Sequence, residues 1–210
     1  MRTERWRFYK ATEGLPTRIR NDDFADLVDA YFQPWRVYHT VQHIEELCRH
    51  YEAVKEEVGW EKPDAVACAL VYHDFVYVPG HPRNEEWSAA EAKRALSDSM
   101  VASIPKPDID AVCAIILATQ DHLAEQADRD TRYFVDMDLA TLGAEPKRYA
   151  EAQKQIRQEY AHVQGFDVGR PRFLTKLLAA GRIFKTDMFH DRYERQAEEN
   201  IKAELRRYAK

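Results

Sequence analysis

PDAVACALVYHDF, residues 63–75, decides the fold of this chain. The segment is apolar on most sides, so it predicts a helix surrounded by other helices rather than one lying on a surface. Pro63 suits the first turn of that helix, where a missing N–H has no partner to lose. The apolar turns carrying Val66, Ala69 and Leu70 lead straight into His73-Asp74. An imidazole and a carboxylate thus arrive at the end of a buried rod, where an unpaired charge is expensive. A bound cation would offset that cost.

Helical periodicity continues on both sides. Upstream, Ile44, Leu47, Cys48, Tyr51 and Val54 form a stripe between about Thr40 and Val58, with Gly59 placed to end it in the left-handed region. Before it, Phe24, Leu27, Val28, Tyr31 and Phe32 form another, with Asn21 expected as N-cap and Pro34 as the stop. Downstream, VYVPGHPRNEE (76–86) cannot continue a helix, and Asn84 is expected to cap an alanine-rich one running to about Ser97. Further helices are expected after Pro107, from Pro146 to about Val163, after Pro171, and from Thr186 onward. The last is highly charged, with Phe189, Tyr193, Ala197, Ile201 and Leu205 along one side, a stripe able to pack on its own domain or on a second copy in a homodimer. No alternating strand exceeds four residues, and no repeat or linker is visible. The expectation is one all-α domain over 1–210, with the motif-bearing core at about 22–145 and C-terminal helices at about 146–208.

Composition narrows the function. With 45% hydrophobic and 32% charged residues over 210, the chain reads as a soluble globular domain rather than a disordered one. Its 31 basic and 36 acidic residues, a net charge of −5, are the wrong balance for a domain held to polymeric nucleic acid by phosphate contacts. No apolar run nears the ~20 residues of a membrane span. MRTERWRFYKATE is charged throughout, so no secretory leader is expected, and Cys48, Cys68 and Cys113 lie far apart without a CxxC pair. Reduced thiols and a cytoplasmic location follow as expectations.

The polar residues set against apolar segments are the candidates for chemistry. His39 and His43 are four apart and are expected on one face of the 40–58 helix. His122 ends IILATQDH, and Asp136 and Asp138 flank Met137 in YFVDMDLATLG. A helical bundle can converge such distant residues on one cavity. Singly, each has an ordinary explanation: a hydrogen-bonded histidine for His122, an N-cap for Asp136 or Asp138, and an HxxxH spacing that lacks the glutamate of the zinc-protease pattern. His50, His81, His162 and His190 read as structural or solvated. Glu159 and His162 form a Glu-x-x-His, but the second copy that a di-iron bundle requires is missing.

In combination, YHTVQHI (38–44), YHDFVY (72–77), NEEWSA (84–89) and DMDLATLG (136–143) resemble the HD-domain metal-dependent phosphohydrolases. The nearest likeness is to a small bacterial branch described only as predicted HD-superfamily phosphohydrolases. RIFKTDMF (182–189) and ERQAEENI (194–201) extend it, so that it runs from about residue 22 to the C-terminus. The resemblance implies an all-α fold and a metal held by His43, His73, Asp74 and Asp138, with Asp136 in place of Asp138 if the register slips by two. It further implies His39 and His122 as ligands for a second metal or for substrate phosphate. Glu85 matches an acidic residue lying near the attacking water.

Two imidazoles with two carboxylates suit one or two divalent transition ions, Mn, Fe, Co or Ni ahead of Zn. Such an ion makes hydroxide available near neutral pH, and Glu85 would orient or deprotonate the water, unless it serves only as a first-turn carboxylate complementing the helix dipole. Arg36 and Lys185 are the candidate phosphate partners, and Tyr77 and Trp87 candidate pocket walls. The expected function is metal-dependent hydrolysis of a small phosphorylated metabolite such as a nucleotide, with Asp74 and Glu85 catalytic. The alternatives are a non-catalytic nucleotide or metal sensor, and an oxygen-dependent enzyme with two metals.

Overall fold

The computed structural model describes residues 4–17, 19–97, 108–122 and 127–208. Among them are ten α-helices and no strand: α1 Arg5–Thr12, α2 Asn21–Tyr31, α3 Val41–Glu57, α4 Pro63–Tyr72, α5 Asn84–Ser97, α6 Ile109–Ala118, α7 Arg129–Leu139, α8 Pro146–Glu159, α9 Phe166–Ala179 and α10 Asp187–Tyr208. A 3₁₀ turn, Ala140–Gly143, extends α7. The chain is all-α, and among the described residues no helix is long and apolar enough to cross a membrane.

The apolar segment at 63–75 sits where its composition demands. Every side chain from Ala65 to Tyr72 is at most 2% exposed. Helices α3, α5, α6 and α7 pack around it. One hydrophobic cluster draws residues from all ten helices. The stripe of α10 is used inside this chain, where Phe189, Ala197 and Ile201 are buried and the helix lies on the 3₁₀ turn, α7 and α9.

Local signals explain most helix ends. The Thr40 hydroxyl caps α3 by accepting from the Gln42 N–H at 3.3 Å. Gly59, at φ +78°, joins Val58 in donating to the Val54 carbonyl, both at 2.9 Å. Three expectations shift. Asn21 is the first residue of α2 and Arg20 occupies the cap position, without a side-chain bond. Asn84 opens α5, but its amide pairs with both backbone groups of Val78 at 3.0 Å, closing the loop rather than capping the helix. Helix α9 begins at Phe166 with Pro171 inside it, because proline there forfeits one hydrogen bond while keeping a helical φ. Pro107 lies outside the described residues; Asp108 caps α6 by accepting from Ala111 N–H at 3.1 Å.

Buried carboxylates hold the connecting segments. Asp130 accepts from the N–H of Glu61 and Lys62 (2.9 and 2.7 Å) just ahead of α4. Glu194 accepts from Ile183 and Phe184 (2.8 and 3.0 Å). Asp136 takes the N–H of Lys185 and Thr186, both at 2.7 Å, and the Thr186 hydroxyl at 2.6 Å. Each carboxylate replaces lost hydration with donors that the loop backbone would otherwise leave unsatisfied.

The turn after α7 approaches α10 as closely as backbones allow. A Cβ at Gly143 would lie 2.5 Å from the Tyr193 Cβ and 2.6 Å from its carbonyl oxygen. Gly143→Ala is therefore expected to cost about 3 kcal/mol through forced separation of the two elements, read as a lowered midpoint in urea unfolding.

Candidate metal centre

Four side chains from three helices meet at one point. His43 comes from the first turn of α3, His73 and Asp74 from the end of α4, and Asp138 from the last turn of α7. The His43 and His73 Nε2 atoms face each other at 3.2 Å. Asp138 Oδ1 lies 3.1 Å from His43 Nε2 and 3.7 Å from His73 Nε2. Asp74 Oδ2 lies 3.1 Å from His73 Nε2 and 3.9 Å from His43 Nε2. His43 and His73 side chains are 3% and 1% exposed, too buried for water to solvate.

These residues fit a metal ion. Two donors about 2.1 Å from a common cation, at right angles, lie about 3.0 Å apart, close to the separations found. Ligand atoms of His43, His73 and Asp138 all fall within 4.8 Å of one another, the one such group among the described residues, and that group can hold a metal ion. His73 Nδ1 lies 3.0 Å from the Leu70 carbonyl, which can only accept. The neutral ring therefore carries its lone pair on Nε2, the atom that faces the cluster. Charge balance points the same way. Burial disfavours a charged His73, yet Asp74 and Asp138 outweigh it and lift the imidazole to about 9. Burial likewise opposes charge on Asp74 and Asp138, and the neighbouring histidines hold both carboxyls well below the ordinary range. Two carboxylates enclosed with two imidazoles need positive charge at this point, and a cation supplies it as a proton would.

Surrounding groups fix the donors. Arg36 is buried over the rings of Tyr31 and Tyr77 and donates to the carbonyls of Asp74 (2.7 Å) and Phe75 (2.8 Å), holding the segment that presents Asp74. His122 Nε2 lies 2.9 Å from Asp138 Oδ2, orienting the carboxylate whose other oxygen faces His43. His122 has φ +56°, a left-handed conformation that costs on the order of 1 kcal/mol in a non-glycine residue. Its buried Nδ1 has no hydrogen-bond partner among the described residues.

His39 lies ahead of α3 rather than on its face, because Thr40 is the cap. It is brought to the site by Glu159, at the C-terminal end of α8. That carboxylate is fully buried, accepts the N–H groups of Val37, Tyr38 and His39 (2.7, 2.9 and 3.2 Å), and lies 2.5 Å from His39 Nδ1. Burial works against its charge, but His39 and the backbone donors hold Glu159 near 2. The His39 Nε2 is 4.0 Å from Asp74 Oδ2, and its ring lies tilted against Tyr77, with centroids 4.2 Å apart.

Asp74 and Asp138 of the cluster line a cavity of about 420 Å³, together with His39, Tyr77, Glu85 and His122 among others. Glu85 is half-buried at its edge, and burial raises its carboxyl pKa, with the Asp74 charge adding to the effect. Other expected positions fall elsewhere. Asp136 shares a helix with Asp138, but two residues along it faces the 185–186 loop, where both its oxygens are used. Burial lifts its carboxyl to about 6 despite those bonds. Arg36 spends its guanidinium on backbone carbonyls and does not line the cavity; neither does Lys185, whose ammonium donates to the Arg182 carbonyl at 3.0 Å. Trp87 stands one layer back, stacked on His81, which does line the cavity. His162 is exposed and excluded from the cluster. Sequence reasoning missed two roles: Glu159, singled out only for its spacing to His162, is the partner of His39, and Arg170 is a cationic group lining the cavity.

No protein-family model matches this chain, and neither the curated proteins nor the solved structures contain a match to it.

Elemental mass spectrometry of the purified chain is expected to find one or two transition-metal ions, with affinity lowered at least about tenfold in His43→Ala and Asp138→Ala. Asp136→Asn should retain the metal and lose thermal stability instead. The reverse pattern would place the ligand at Asp136.

Proposed function

We propose that this chain is a metal-dependent phosphohydrolase of the HD type, acting on a small phosphate ester. The observation that carries the reading is the convergence of His43, His73, Asp74 and Asp138 beside a cavity that the two carboxylates line. These are the residues that the resemblance to the HD phosphohydrolases names as ligands, in that order along the chain. Mn, Fe, Co or Ni suits the mixed nitrogen and oxygen donors, with Zn as the further candidate. An ion held there would act as a Lewis acid, polarising a phosphoryl oxygen and acidifying water.

The chain's own groups supply the proton transfers. Water adds to phosphorus and gives a proton to Glu85, whose carboxylate burial makes a stronger base than an exposed one. The bond from phosphorus to the ester oxygen breaks, and that oxygen takes a proton from His39 Nε2, leaving an alcohol and inorganic phosphate. His39 suits this role because burial, which opposes its charge, is overridden by Glu159 and Asp74, so that its pKa is raised. Glu159 is a positioning residue: it fixes the ring through Nδ1 and leaves Nε2 toward the cavity. Arg36 positions Asp74 in the same sense, through the backbone.

Asp74→Ala should abolish metal-dependent phosphate release while leaving the far-ultraviolet circular dichroism near that of the wild type; an active variant would overturn the assignment. His39→Gln should slow hydrolysis of an alkyl phosphate by about a hundredfold. It should slow p-nitrophenyl phosphate far less, because that leaving group departs without a proton. Equal losses on both esters would remove His39 from the role.

A further inference from the structure

The cavity extends well beyond the His–Asp cluster, to a wall formed by α8 and α9, and that wall is built for something other than phosphate. Leu142, Ile156, Phe166 and Phe173 line it. Gly169 lines it too, as the fourth residue of α9, and a Cβ added there would meet nothing within 4 Å. Glycine is among the poorest helix formers. With ordinary φ and open space in front of it, its presence is not explained by packing within the chain. It keeps that part of the cavity wide.

Arg170 follows it and, among the described residues, is the only lysine or arginine lining the cavity. Glu204 engages its Nε at 3.1 Å and its Nη2 at 3.4 Å, and is itself held by the Tyr149 hydroxyl and by Gln153. Nη1 makes no hydrogen bond among the described residues. The wall therefore offers a largely neutralised cation with donor capacity to spare, suited to one acceptor rather than to a chain of phosphates. Asp74, Glu85 and Asp138 place three carboxylates on the same lining. A di- or triphosphate would carry its surplus negative charge past them with no lysine or arginine but Arg170 to meet it.

We propose that the α8–α9 end is a leaving-group subsite, and that the substrates are phosphate monoesters of alcohols bearing an apolar ring or chain and one hydrogen-bond acceptor, to the exclusion of nucleoside polyphosphates. The inference rests on the hydrolase reading for the position of the phosphoryl group. The ring or chain lies against Phe166, Phe173 and the open face of Gly169, the acceptor on Arg170. Hydrolysis then releases the alcohol from this end and inorganic phosphate from the other.

Benzyl and methyl phosphate separate the two halves, since their alcohols are similarly acidic and differ in the ring. With the metal-loaded full chain, kcat/KM should favour benzyl over methyl phosphate at least tenfold, and benzyl phosphate over adenosine triphosphate by as much. Gly169→Ala should reduce the first ratio and Gly169→Leu should remove it, with metal content and helical circular dichroism unchanged. Calorimetry with benzylphosphonate, whose carbon–phosphorus bond does not hydrolyse, should show binding weakened at least tenfold by Gly169→Leu. Equal turnover of benzyl and methyl phosphate, faster turnover of the triphosphate, or benzylphosphonate binding indifferent to Gly169 would overturn the subsite. If no ester is hydrolysed but benzylphosphonate binds in a Gly169-dependent way, the hydrolase reading fails and the subsite stands. Absence of both hydrolysis and binding removes both.

Discussion

Two buried imidazoles packed against two largely buried carboxylates impose the requirement around which the rest of this protein is arranged. An apolar interior does not tolerate net charge, so positive charge has to be present where Asp74 and Asp138 meet His43 and His73. The apolar helix α4 creates the problem by delivering His73 and Asp74 to its buried end. Helices α3 and α7 complete the group with His43 and Asp138. The Leu70 carbonyl, Arg36 and His122 then fix ring tautomer, backbone and carboxylate in turn. Such constraint would narrow the choice of any ion held there, because donors that cannot move cannot adapt to a wrong radius.

A second use of buried charge runs through the fold. Asp130, Asp136, Glu159 and Glu194 each accept from at least two consecutive backbone N–H groups of a remote segment. A carboxylate can accept several such bonds at once, so one side chain orders a whole loop entry. Three of these clasps are architectural. The fourth, Glu159, also touches His39, so that the same carboxylate shapes a loop and orients a ring at the cavity.

Much of this was legible in the chain itself. The composition of 63–75 announced a central helix, Pro63 and Gly59 marked element ends, and the motif resemblance implied His43, His73, Asp74 and Asp138 as a set. What stayed hidden depends on contacts between distant residues. Asp136 and Asp138 are the same residue type two positions apart, and only the location of the 185–186 loop tells the clasp from the candidate ligand. Arg36 was close enough in sequence to His39 to suggest a phosphate partner, yet its donors are drawn to carbonyls 38 and 39 residues away. Glu159 stood out only for its spacing to His162, whereas its actual partner lies 120 residues upstream. Such pairings leave no periodicity to read.

That last separation has a consequence for how the molecule comes into being. A ribosome makes the chain from its N-terminus, so all four donors of the centre exist before Glu159 does. Until α8 is complete, the segment Val37–His39 lacks the Glu159 carboxylate as acceptor for its three N–H groups, and His39 lacks its ring partner. A nascent chain can thus possess its ligands while still lacking the order around them. Order at Val37–His39 therefore waits on the arrival of the C-terminal third of the chain.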